Sequence, residues 1–486
     1  MCFFLVHLAK YRFMEIIGRA AEKEIFSDLL KSNSSEFVAV YGRRRVGKTY
    51  LIRNYFEKHI VFDCSGLNKQ NQATQLENYM DTLISFQLAF KKNPTPATWL
   101  AAFNLLKEYI TANKSKSKKV IFFDELPWFE TPRSGFKAAL DNFWNNWCTK
   151  RTDIILVVCG SAASWMVKHI INDRGGLHNR VTKQINLQPF SLAETKLFLQ
   201  YNNVSLPNYD ILQLYMILGG IPFYLKEVVK GKSLAQNIDL LFFEPQSPLR
   251  NEFDNLYASL FKNYQWHTSI IKALATKGNG MYRDEIVKAT GLASGGGFTT
   301  VINELVQSGF VSVHYPFKNA RKETIFRLSD EYTLFYLKFI HNSRKATGWA
   351  QKAGQQPFKI WCGHAFENFC LKHVELIKKA LGIPALYTEE ASWVAKANKT
   401  AAGTQIDLLI DRADNAINIC EIKFYNSTFE ITKDYAEKLR NKVTVFQQQT
   451  KTTKAVFITF ISTFGLVENA YKLSVVSNDI KIDDFF

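Results

Sequence analysis

The stretch EFVAVYGRRRVGKTYLI, residues 36–52, runs from an apolar strand through a glycine-rich turn into a helix. Its centre, from Gly42 to Thr49, matches the pattern G-x-x-x-x-G-K-[ST]. Gly42 and Gly47 let the backbone turn so that successive N–H groups face phosphate oxygens, and the helix N-terminus adds partial positive charge. Lys48 can reach the β- and γ-phosphates, and the Thr49 hydroxyl can ligate Mg²⁺. Because the required strand and helix flank the pattern, it predicts a phosphate-binding loop.

A second motif supplies carboxylates. The segment VIFFDEL, residues 120–126, reads as a buried strand that ends in Asp124 and Glu125. A strand of a parallel sheet delivers such residues to the carboxyl edge, where ligands of α/β proteins bind. We expect Asp124 to hold the Mg²⁺ shell and Glu125 to orient or activate the attacking water. Paired acids at this position favour ATP hydrolysis over binding alone.

Two further residues are weaker candidates for the same nucleotide site. Ser161 follows the apolar strand IILVVCG, residues 154–160, where a hydroxyl can touch the γ-phosphate or the water. An ordinary serine at the end of a strand is an equal alternative. Arg180 is a candidate arginine for the γ-phosphate, either within the chain or across a subunit interface. A surface arginine is equally compatible with its sequence context.

The order of elements predicts several domains. Strands alternate with helices up to about residue 188, which indicates a parallel α/β sheet. A helical stretch is expected over about 70–112. Residues 190–260 read as mostly helical, with a break at GGIP, residues 219–222. Residues 262–330 read as three short helices followed by two strands around a basic turn, the pattern of a winged helix-turn-helix.

The basic turn of this winged helix is a candidate contact for a phosphate backbone. Its cations are Lys318, Arg321, Lys322 and Arg327. The candidate recognition helix, residues 298–308, contains no Lys or Arg, which argues against sequence-specific base readout. Packing within the chain or against a partner protein is therefore an equal alternative for the winged helix.

The chain resembles the prokaryotic P-loop ATPases of the AAA+/STAND group. The segments that carry this resemblance are GRRRVGKT (42–49), FFDEL (122–126), GSAASWM (160–166) and GGIPFYL (219–225). The resemblance implies ATP with Mg²⁺, and an ATPase followed by a helical lid, a winged helix and often a nuclease-like domain. The segment IIGRAAE is similar to the adenine-side entry of that group, which implies that Gly18 and Arg19 lie near the base. Whether ATP drives a motor or sets a switch stays open.

The C-terminal part contains a second set of charged candidates. Asp407 lies in the strand TQIDLLID, and Glu421 and Lys423 share one face of the strand INICEIKF. The fourteen positions from Asp407 to Glu421 are enough for a hairpin to bring them together. Glu367, on the preceding helix, can complete the shell of a hard cation such as Mg²⁺. Such a metal can activate water and stabilise charge on a scissile phosphate, and Lys423 can help position that water.

This order of a helical Glu, an Asp and an E-x-K step is similar to that of the PD-(D/E)XK nuclease superfamily. The resemblance implies metal ligands at Glu367, Asp407 and Glu421, with Glu421 and Lys423 as the catalytic residues. A degenerate or purely binding domain is the alternative, because D-x(n)-E-x-K recurs by chance.

The predicted fold is thus multidomain α/β. Its parts are a P-loop ATPase domain with a parallel sheet over 14–188, a helical lid region over 189–261, a winged helix-turn-helix with a helical extension over 262–350, and a restriction-endonuclease-like PD-(D/E)XK domain over 355–486.

Composition narrows the classes of protein. The chain has 486 residues, 47% apolar and 22% charged, which excludes a disordered or fibrous protein. Seven cysteines without a C-x-x-C pair argue against a disulfide framework or a zinc ribbon and favour a reducing compartment. We find no secretory signal and no apolar run long enough for a membrane span, so we expect a cytoplasmic protein. A homo-oligomer remains open.

Net charge points to a polyanionic partner. The total is +17, which fits a nucleic acid or an anionic membrane surface, and charge alone does not choose between them. No amphipathic basic helix supports a membrane partner, so we expect a nucleic acid, DNA in the leading hypothesis. Residues 355–486 contain sixteen Lys and Arg against fifteen Asp and Glu, so almost all of the excess lies before them. The leading hypothesis is a Mg²⁺-dependent ATPase coupled to a nuclease-like domain that acts on DNA. The alternative is an ATP-driven regulatory switch or DNA-binding protein whose C-terminal domain does not cut. The charge supports DNA binding but gives no support of its own to cleavage.

Overall fold

The computed structural model describes residues 15–173, 175–318, 323–341, 348–349, 355–395 and 403–486. Two of the predicted turn cations, Arg321 and Lys322, lie outside these residues. Contacts divide the chain into two compact units, Met1–Pro189 and Phe190–Phe486. Each unit is described by itself below.

Unit 1 is built on a five-stranded parallel sheet. Its strands are β1 (Glu36–Tyr41), β2 (Ile60–Ser65), β3 (Lys119–Asp124), β4 (Ile154–Gly160) and β5 (Lys183–Asn186). They lie in the order β2-β3-β4-β1-β5, and every neighbouring pair is parallel. The residues of β3 and β4 are all buried, as the apolar runs 120–123 and 154–159 predict, and the charged ends of β3, Lys119 and Asp124, are buried with them. Because β4 lies between β1 and β3, the phosphate loop, the residue after β4 and the acidic pair after β3 meet at one edge.

Helices cover this sheet. They are α1 (Ala20–Lys31), α2 (Lys48–Tyr55), α3 (Gln72–Phe86), α4 (Trp99–Ala112), α5 (Phe136–Asn146) and α6 (Ala163–Met166). The predicted helical stretch over 70–112 is therefore two helices, and that prediction is corrected. Pro94 and Pro96 interrupt it because proline cannot continue a helix, and Thr98 then caps α4 through the N–H of Ala101. Aromatic side chains dominate the core, including Phe62, Tyr79, Trp99, Phe103 and Phe123.

Unit 2 begins with helices, as predicted. They are α7 (Leu192–Tyr201), α8 (Asn208–Leu218), α9 (Pro222–Leu225), α10 (Leu234–Ile238) and α11 (Glu252–Leu260). The predicted break at 219–222 is confirmed: Gly219 and Gly220 have φ of 71° and 65°, and Pro222 opens α9. A Cβ on Gly220 would lie 2.3 Å from the Phe190 carbonyl oxygen, so only glycine fits there.

A small helical and stranded module follows within unit 2. Its elements are α12 (Tyr264–Leu274), β6 (Met281–Tyr282), α13 (Arg283–Thr290), α14 (Gly296–Gln307), β7 (Val311–His314) and β8 (Ile325–Leu328). The strands form an antiparallel sheet in the order β6-β8-β7. The three predicted helices and two strands are present, together with the unpredicted strand β6. The winged-helix interpretation of this module stays a prediction.

The rest of unit 2 surrounds a mixed sheet. Its helices are α15 (Glu331–Phe339), α16 (Gln356–Lys372), α17 (Val374–Ala380), α18 (Lys433–Thr450) and α19 (Ala470–Val475). Its strands are β9 (Thr388–Ala395), β10 (Thr404–Arg412), β11 (Ala416–Lys423), β12 (Ala455–Ser462) and β13 (Asn478–Lys481). The sheet order is β13-β12-β11-β10-β9, antiparallel from β9 to β11 and parallel from β11 to β13. Helix α18 is 18 residues long.

One general property also emerges. Among the described residues, no helix combines the length and the apolar composition that a membrane span requires.

Candidate functional site

The phosphate loop depends on unusual backbone geometry. Gly42, Arg45 and Gly47 have φ of 136°, 73° and 92°, a region that disfavours a side chain. A Cβ on Gly42 would come within 2.4 Å of the Leu187 carbonyl oxygen, so the glycine is also required by space. Gly47 caps α2, whose first residue is Lys48. The loop thus takes the strand-to-helix path that the sequence predicted.

Lys48 points its ammonium group back into this loop. Its side chain is buried, and Nζ donates to the carbonyl oxygens of Gly42 and Arg43, each at 2.9 Å. Burial lowers the pKa of Lys48, while the carboxylates of Glu125 and Asp124 oppose that shift. A buried ammonium with only neutral carbonyl acceptors is well placed to take an anionic phosphate as its partner.

Asp124 is the most heavily bonded carboxylate of the site. The Thr49 hydroxyl donates to its Oδ2 at 2.8 Å, and the Glu125 N–H donates to its Oδ1 at 3.0 Å. The thiol of Cys159, on β4, lies 2.9 Å from the same Oδ1. Burial raises the pKa of Cys159, so the group is a neutral thiol that can donate. A hydroxyl and a carboxylate in contact are the oxygen ligands that Mg²⁺ prefers, so these residues fit the metal.

Cys159 was not predicted as part of the site. Its sequence signal was limited to its place at the end of an apolar strand, which is equally the signature of a small core residue. The strand order supplies the missing information, because β4 lies directly beside β3.

Glu125 and Ser161 bond to each other. Glu125 has φ of 48°, and its carboxylate accepts from the Ser161 hydroxyl at 2.7 Å and from the Ser161 N–H at 3.2 Å. The two predicted residues therefore come together next to Asp124. In this conformation the serine holds the carboxylate of Glu125, a partner that the sequence did not indicate.

Arg19 and Arg53 contact the site, and Arg180 is the remaining arginine candidate. Arg19 is buried and donates to the carbonyl oxygens of Val46 at 3.0 Å and Gln188 at 2.7 Å, so it braces the phosphate loop. Arg53, which was not predicted, has its guanidinium 3.9 Å from Asp124 and 2.6 Å from Asp63. Arg180 is exposed on the turn before β5. Its predicted role at the γ-phosphate stays a prediction.

The second predicted cluster also assembles, within unit 2. Strands β10 and β11 form a hairpin in which Leu408 pairs with Cys420. Asp407 and Glu421 are each one residue beyond that pair, at the same end of the hairpin. Lys423 lies 3.0 Å from Glu421, and Glu367 of α16 is close enough for Asp407 to raise its pKa. The hairpin and the helix thus bring together all four predicted residues.

Glu421 has cationic and hydroxyl partners that the motif did not include. Lys442 of α18 lies 2.6 Å from its Oε2, and the Tyr435 hydroxyl donates to its Oε1 at 2.7 Å. Burial by itself raises the pKa of Glu421, but Lys442, Lys423 and Tyr435 together lower it to about 2. The carboxylate is therefore ionised and already neutralised by protein groups.

Glu367 has a similar partner. Arg327 of β8 lies 2.5 Å from its Oε1; the Arg327 side chain is buried and that of Glu367 is 13% exposed. Burial and Asp407 raise the pKa of Glu367, although Arg327 opposes them. The prediction that Arg327 contacts DNA is contradicted in this conformation, because the residue is only 5% exposed. Lys318 of the same turn is exposed, and its ammonium donates to the Thr450 carbonyl at 2.9 Å.

The C-terminal cluster has the oxygen ligands of a hard cation but not an arrangement ready to hold one. Among the residues that the structure describes, no group of three His, Cys, Asp or Glu side chains is placed to bind a metal ion. Arg327 and Lys442 pair with Glu367 and Glu421, the carboxylates that a metal would have to bind.

Comparisons with known proteins agree with the geometry of unit 1. Residues 17–228 match a family described as an ATPase domain predominantly from Archaea. An uncharacterized protein of Methanocaldococcus jannaschii is 24% identical over 425 residues, which cover 84% of this chain and 87% of that protein. The chain therefore contains an ATPase-like domain related to archaeal ATPases.

Two solved structures are similar at low identity. The Walker-type ATPase PABY2304 of Pyrococcus abyssi is 16% identical with a TM-score of 0.48, covering 66% of this chain and 96% of that one. The ORC2 protein of Aeropyrum pernix is 15% identical with a TM-score of 0.40, covering 65% and 91%.

Proposed function

We propose that this protein is a Mg²⁺-dependent ATPase whose C-terminal domain is nuclease-like and acts on DNA. One observation carries the ATPase part: the Thr49 hydroxyl lies 2.8 Å from Asp124 at the start of the helix that follows the phosphate loop. The family match over 17–228 supports it.

The site residues of unit 1 would have different roles in ATP binding and hydrolysis. The loop N–H groups and Lys48 would bind the phosphates, and Thr49 with Asp124 would hold Mg²⁺. The metal would neutralise charge that develops on the phosphates. Glu125 would accept a proton from the attacking water or orient it, after exchanging its contacts with Ser161 for that water. Arg180 would add positive charge at the γ-phosphate from the same chain or a second copy.

Two variants test this assignment. Lys48→Ala is expected to abolish ATP hydrolysis, whereas Lys58→Ala, an exposed lysine after α2, should leave the rate unchanged. Glu125→Gln should bind ATP but hydrolyse it at least about 100-fold more slowly, because binding does not need the base. A normal rate in Lys48→Ala would refute the site, and loss of ATP binding in Glu125→Gln would give Glu125 a structural role instead.

The nuclease part is supported by the hairpin that brings Asp407 and Glu421 to the same end of β10 and β11, with Lys423 3.0 Å from Glu421. Glu367, Asp407 and Glu421 would hold a divalent metal only after Arg327 and Lys442 had left Glu367 and Glu421. Such a metal would activate water for attack on a phosphodiester. The test is Mg²⁺-dependent cleavage of plasmid with and without ATP. Glu421→Ala and Lys423→Ala should remove it, and Glu430→Ala, an exposed carboxylate on the following loop, should not. Cleavage that survives both substitutions would refute the nuclease.

The alternative is a switch or DNA-binding protein in which ATP controls binding and nothing is cut. The cationic partners of Glu421 and Glu367 favour it, because they stabilise the cluster without a metal. A protein that binds DNA with steep salt dependence and does not cleave it would support this alternative. The cytoplasmic location and the homo-oligomer stay predictions.

A further inference from the structure

The edge of the unit 1 sheet that lies opposite the phosphate loop carries a dense group of lysines. Because β3, β4, β1 and β5 are neighbours and all parallel, the segments that lead into them meet at one edge, as the nucleotide residues meet at the other. These segments are 31–36, 114–119, 149–154 and 182–183, and together we call them the amino edge. The turn before β2 adds no net charge, because Glu57 and Lys58 stand side by side there.

Hydrogen bonds join the four segments of the amino edge. The ammonium group of Lys118 donates to the carbonyl oxygens of Ser34 at 2.6 Å and Thr152 at 2.7 Å. The Phe37 N–H, next to the first segment, donates to the Thr182 hydroxyl oxygen at 3.0 Å. The exposed side chains of the four segments therefore belong to one continuous surface of unit 1.

The amino edge holds more than half of the net charge of unit 1. Its twenty residues include eight Lys and Arg but only two Asp and Glu, a net charge of +6. The whole of unit 1 has twenty-seven Lys and Arg against sixteen Asp and Glu, or +11. The exposed lysines of the amino edge are Lys31, Lys114, Lys116, Lys150 and Lys183.

Both acidic residues of the amino edge already have partners within it. Asp153 pairs with Lys119 at 2.8 Å and with Arg151 at 2.7 Å. Glu36 accepts from the Ser32 hydroxyl at 2.5 Å. The exposed lysines are thus not the partners of these carboxylates.

Helix dipoles do not account for this charge either. A lysine complements the dipole of a helix only near its last turn. Helices α4 and α5 precede β3 and β4, and neither has a basic residue in its last turn. Lys114, Lys116 and Lys150 lie beyond those turns, so their charge is available to a partner outside the chain.

The lysine-rich turn 114–119 is also held in one conformation. The Ser117 N–H donates to the Ser115 hydroxyl oxygen at 3.3 Å, and the buried ammonium group of Lys119 donates to the Ser115 carbonyl oxygen. Lys114 and Lys116 therefore extend from an ordered turn. Binding a partner there costs less conformational entropy than binding to a flexible lysine tail.

The composition of the amino edge fits a phosphate backbone better than a membrane. Its lysines alternate with Ser and Thr, whose hydroxyls contact nucleic-acid phosphates together with Lys and Arg. Its one large apolar residue, Ile154, is buried. A surface that binds a membrane usually inserts exposed apolar side chains, which this edge lacks in all four described segments. Nucleic acid is therefore the favoured partner.

The length of the amino edge fits a short stretch of duplex. Neighbouring strands lie about 4.8 Å apart, so the row from β3 to β5 spans about 14 Å. This row matches about four base pairs of DNA, since each base pair advances about 3.4 Å.

We propose that the amino edge is the surface through which unit 1 binds DNA, by contacts with the phosphate backbone. Lysines that precede four neighbouring strands neutralise phosphates and do not read the base sequence. DNA and ATP then occupy opposite edges of the same sheet, so neither blocks the other. This inference rests on the proposed function only in taking DNA as the partner.

The test is fluorescence anisotropy of a short labelled DNA duplex, titrated with the full chain without Mg²⁺ or nucleotide. Replacing Lys114 and Lys116 together by Gln should weaken binding at least about tenfold. The slope of log affinity against log salt should fall by about 2, because two phosphate contacts are lost. The matched control replaces Lys69 and Lys168, two exposed lysines outside the amino edge, by Gln and should leave both quantities unchanged.

A second variant separates charge from folding. Replacing Lys114 and Lys116 by Arg keeps both charges, so DNA binding should stay near that of the wild type. Unchanged affinity and slope in the Gln variant would overturn the proposal. An equal loss in the Lys69 and Lys168 control, or in the Arg variant, would overturn it as well.

The result is separable from that of the nuclease assay. If the Gln variant loses DNA binding and no form of the chain cleaves plasmid, the amino edge stands and the nuclease is refuted. If cleavage requires Glu421 while the Gln variant binds DNA normally, the nuclease stands and the amino edge is refuted. If the wild type binds vesicles that contain phosphatidylserine but no duplex, single-stranded DNA or RNA, a membrane is the partner and the proposal is wrong.

Discussion

The phosphate loop and the C-terminal cluster are built on different principles. At the loop, the shape of the backbone makes the site: three left-handed residues, a glycine pressed against Leu187, and carbonyl partners for Lys48. At the cluster, side chains from distant elements make the site, and each of two carboxylates is neutralised by a cation from another element. Lys48 donates to neutral carbonyl oxygens at the loop, whereas Glu367 and Glu421 of the cluster are already paired with cations of the chain.

This difference indicates what each site is prepared to receive. The N–H groups and ammonium of a phosphate loop gain an anion without first losing a protein partner of the same sign. A metal at the cluster would have to displace the ion pairs of Glu367 and Glu421, so its affinity would be set by competition. The two sites therefore respond to different kinds of substitution.

The largest effect is expected from a substitution that disturbs the backbone of the phosphate loop. Gly42→Ala places a Cβ 2.4 Å from the Leu187 carbonyl oxygen at a φ of 136°. We expect about 3 kcal/mol of lost stability in unit 1, from overpacking and backbone strain, and ATP binding at least about 100-fold weaker. Fluorescent-nucleotide titration and denaturant unfolding measure the two effects.

The matched substitution at the cluster is Gly363→Ala. Gly363 lies in α16, one helical turn before Glu367, and a Cβ there meets nothing within 4 Å. Because alanine favours a helix, we expect stability to rise by about 0.5–1 kcal/mol. If both alanines were equally harmful, or Gly42→Ala were harmless, the contrast between a backbone site and a side-chain site would be wrong.

The same contrast explains how much the sequence could predict. Gly42, Lys48 and Thr49 lie in one short motif, so local pattern was sufficient to place them. Asp124 and Glu125 followed from one further rule, that parallel strands end at one edge. The parallel sheet of unit 1 and the break at 219–222 were predictable for similar reasons of local pattern.

The counter-ions of the cluster were not predictable in this way. Arg327 lies forty positions from Glu367, and its place in a basic turn suggested a contact with DNA instead. Tyr435 and Lys442 lie seven positions apart on α18, so they share a helix face, and that spacing was a signal. Which strand that face would cover depends on tertiary packing, which no local rule supplies.

The dependence of stability on pH is a further test of the comparison between the loop and the cluster. The pKa of Glu421 is about 2 in the folded chain, against an ordinary value of 4.5. A lowered folded pKa contributes stability that is complete above pH 4.5 and is lost as the pH falls towards 2. The size is about 3 kcal/mol for unit 2. Calorimetric unfolding between pH 6 and pH 2.5 should show this loss.

Lys442→Gln is the control for that titration. Removing the nearest ammonium raises the pKa of Glu421, so the variant should be about 2 kcal/mol less stable at pH 6. The difference from the wild type should shrink towards zero near pH 2.5, where Glu421 is protonated in both. A difference that stays constant with pH would mean that Lys442 stabilises by packing and not by charge.

The smallest effect is expected from a substitution of Cys159, whose side chain bonds a carboxylate of the loop site as the partners at the cluster do. Cys159 bonds Asp124 at 2.9 Å as a neutral thiol, so it orients the carboxylate without neutralising it. Cys159→Ala should therefore raise the Mg²⁺ concentration needed for half-maximal ATP hydrolysis by about fivefold, equivalent to about 1 kcal/mol, with kcat little changed.

Cys159→Ser keeps a donor and should stay near the wild type. Cys64→Ala, a buried cysteine on β2 outside the site, controls for lost packing. A similar change in Cys64→Ala would show that the thiol acts only by filling space. If Cys159→Ala cost more free energy than Lys442→Gln does at the cluster, the loop site, too, would depend on side-chain partners.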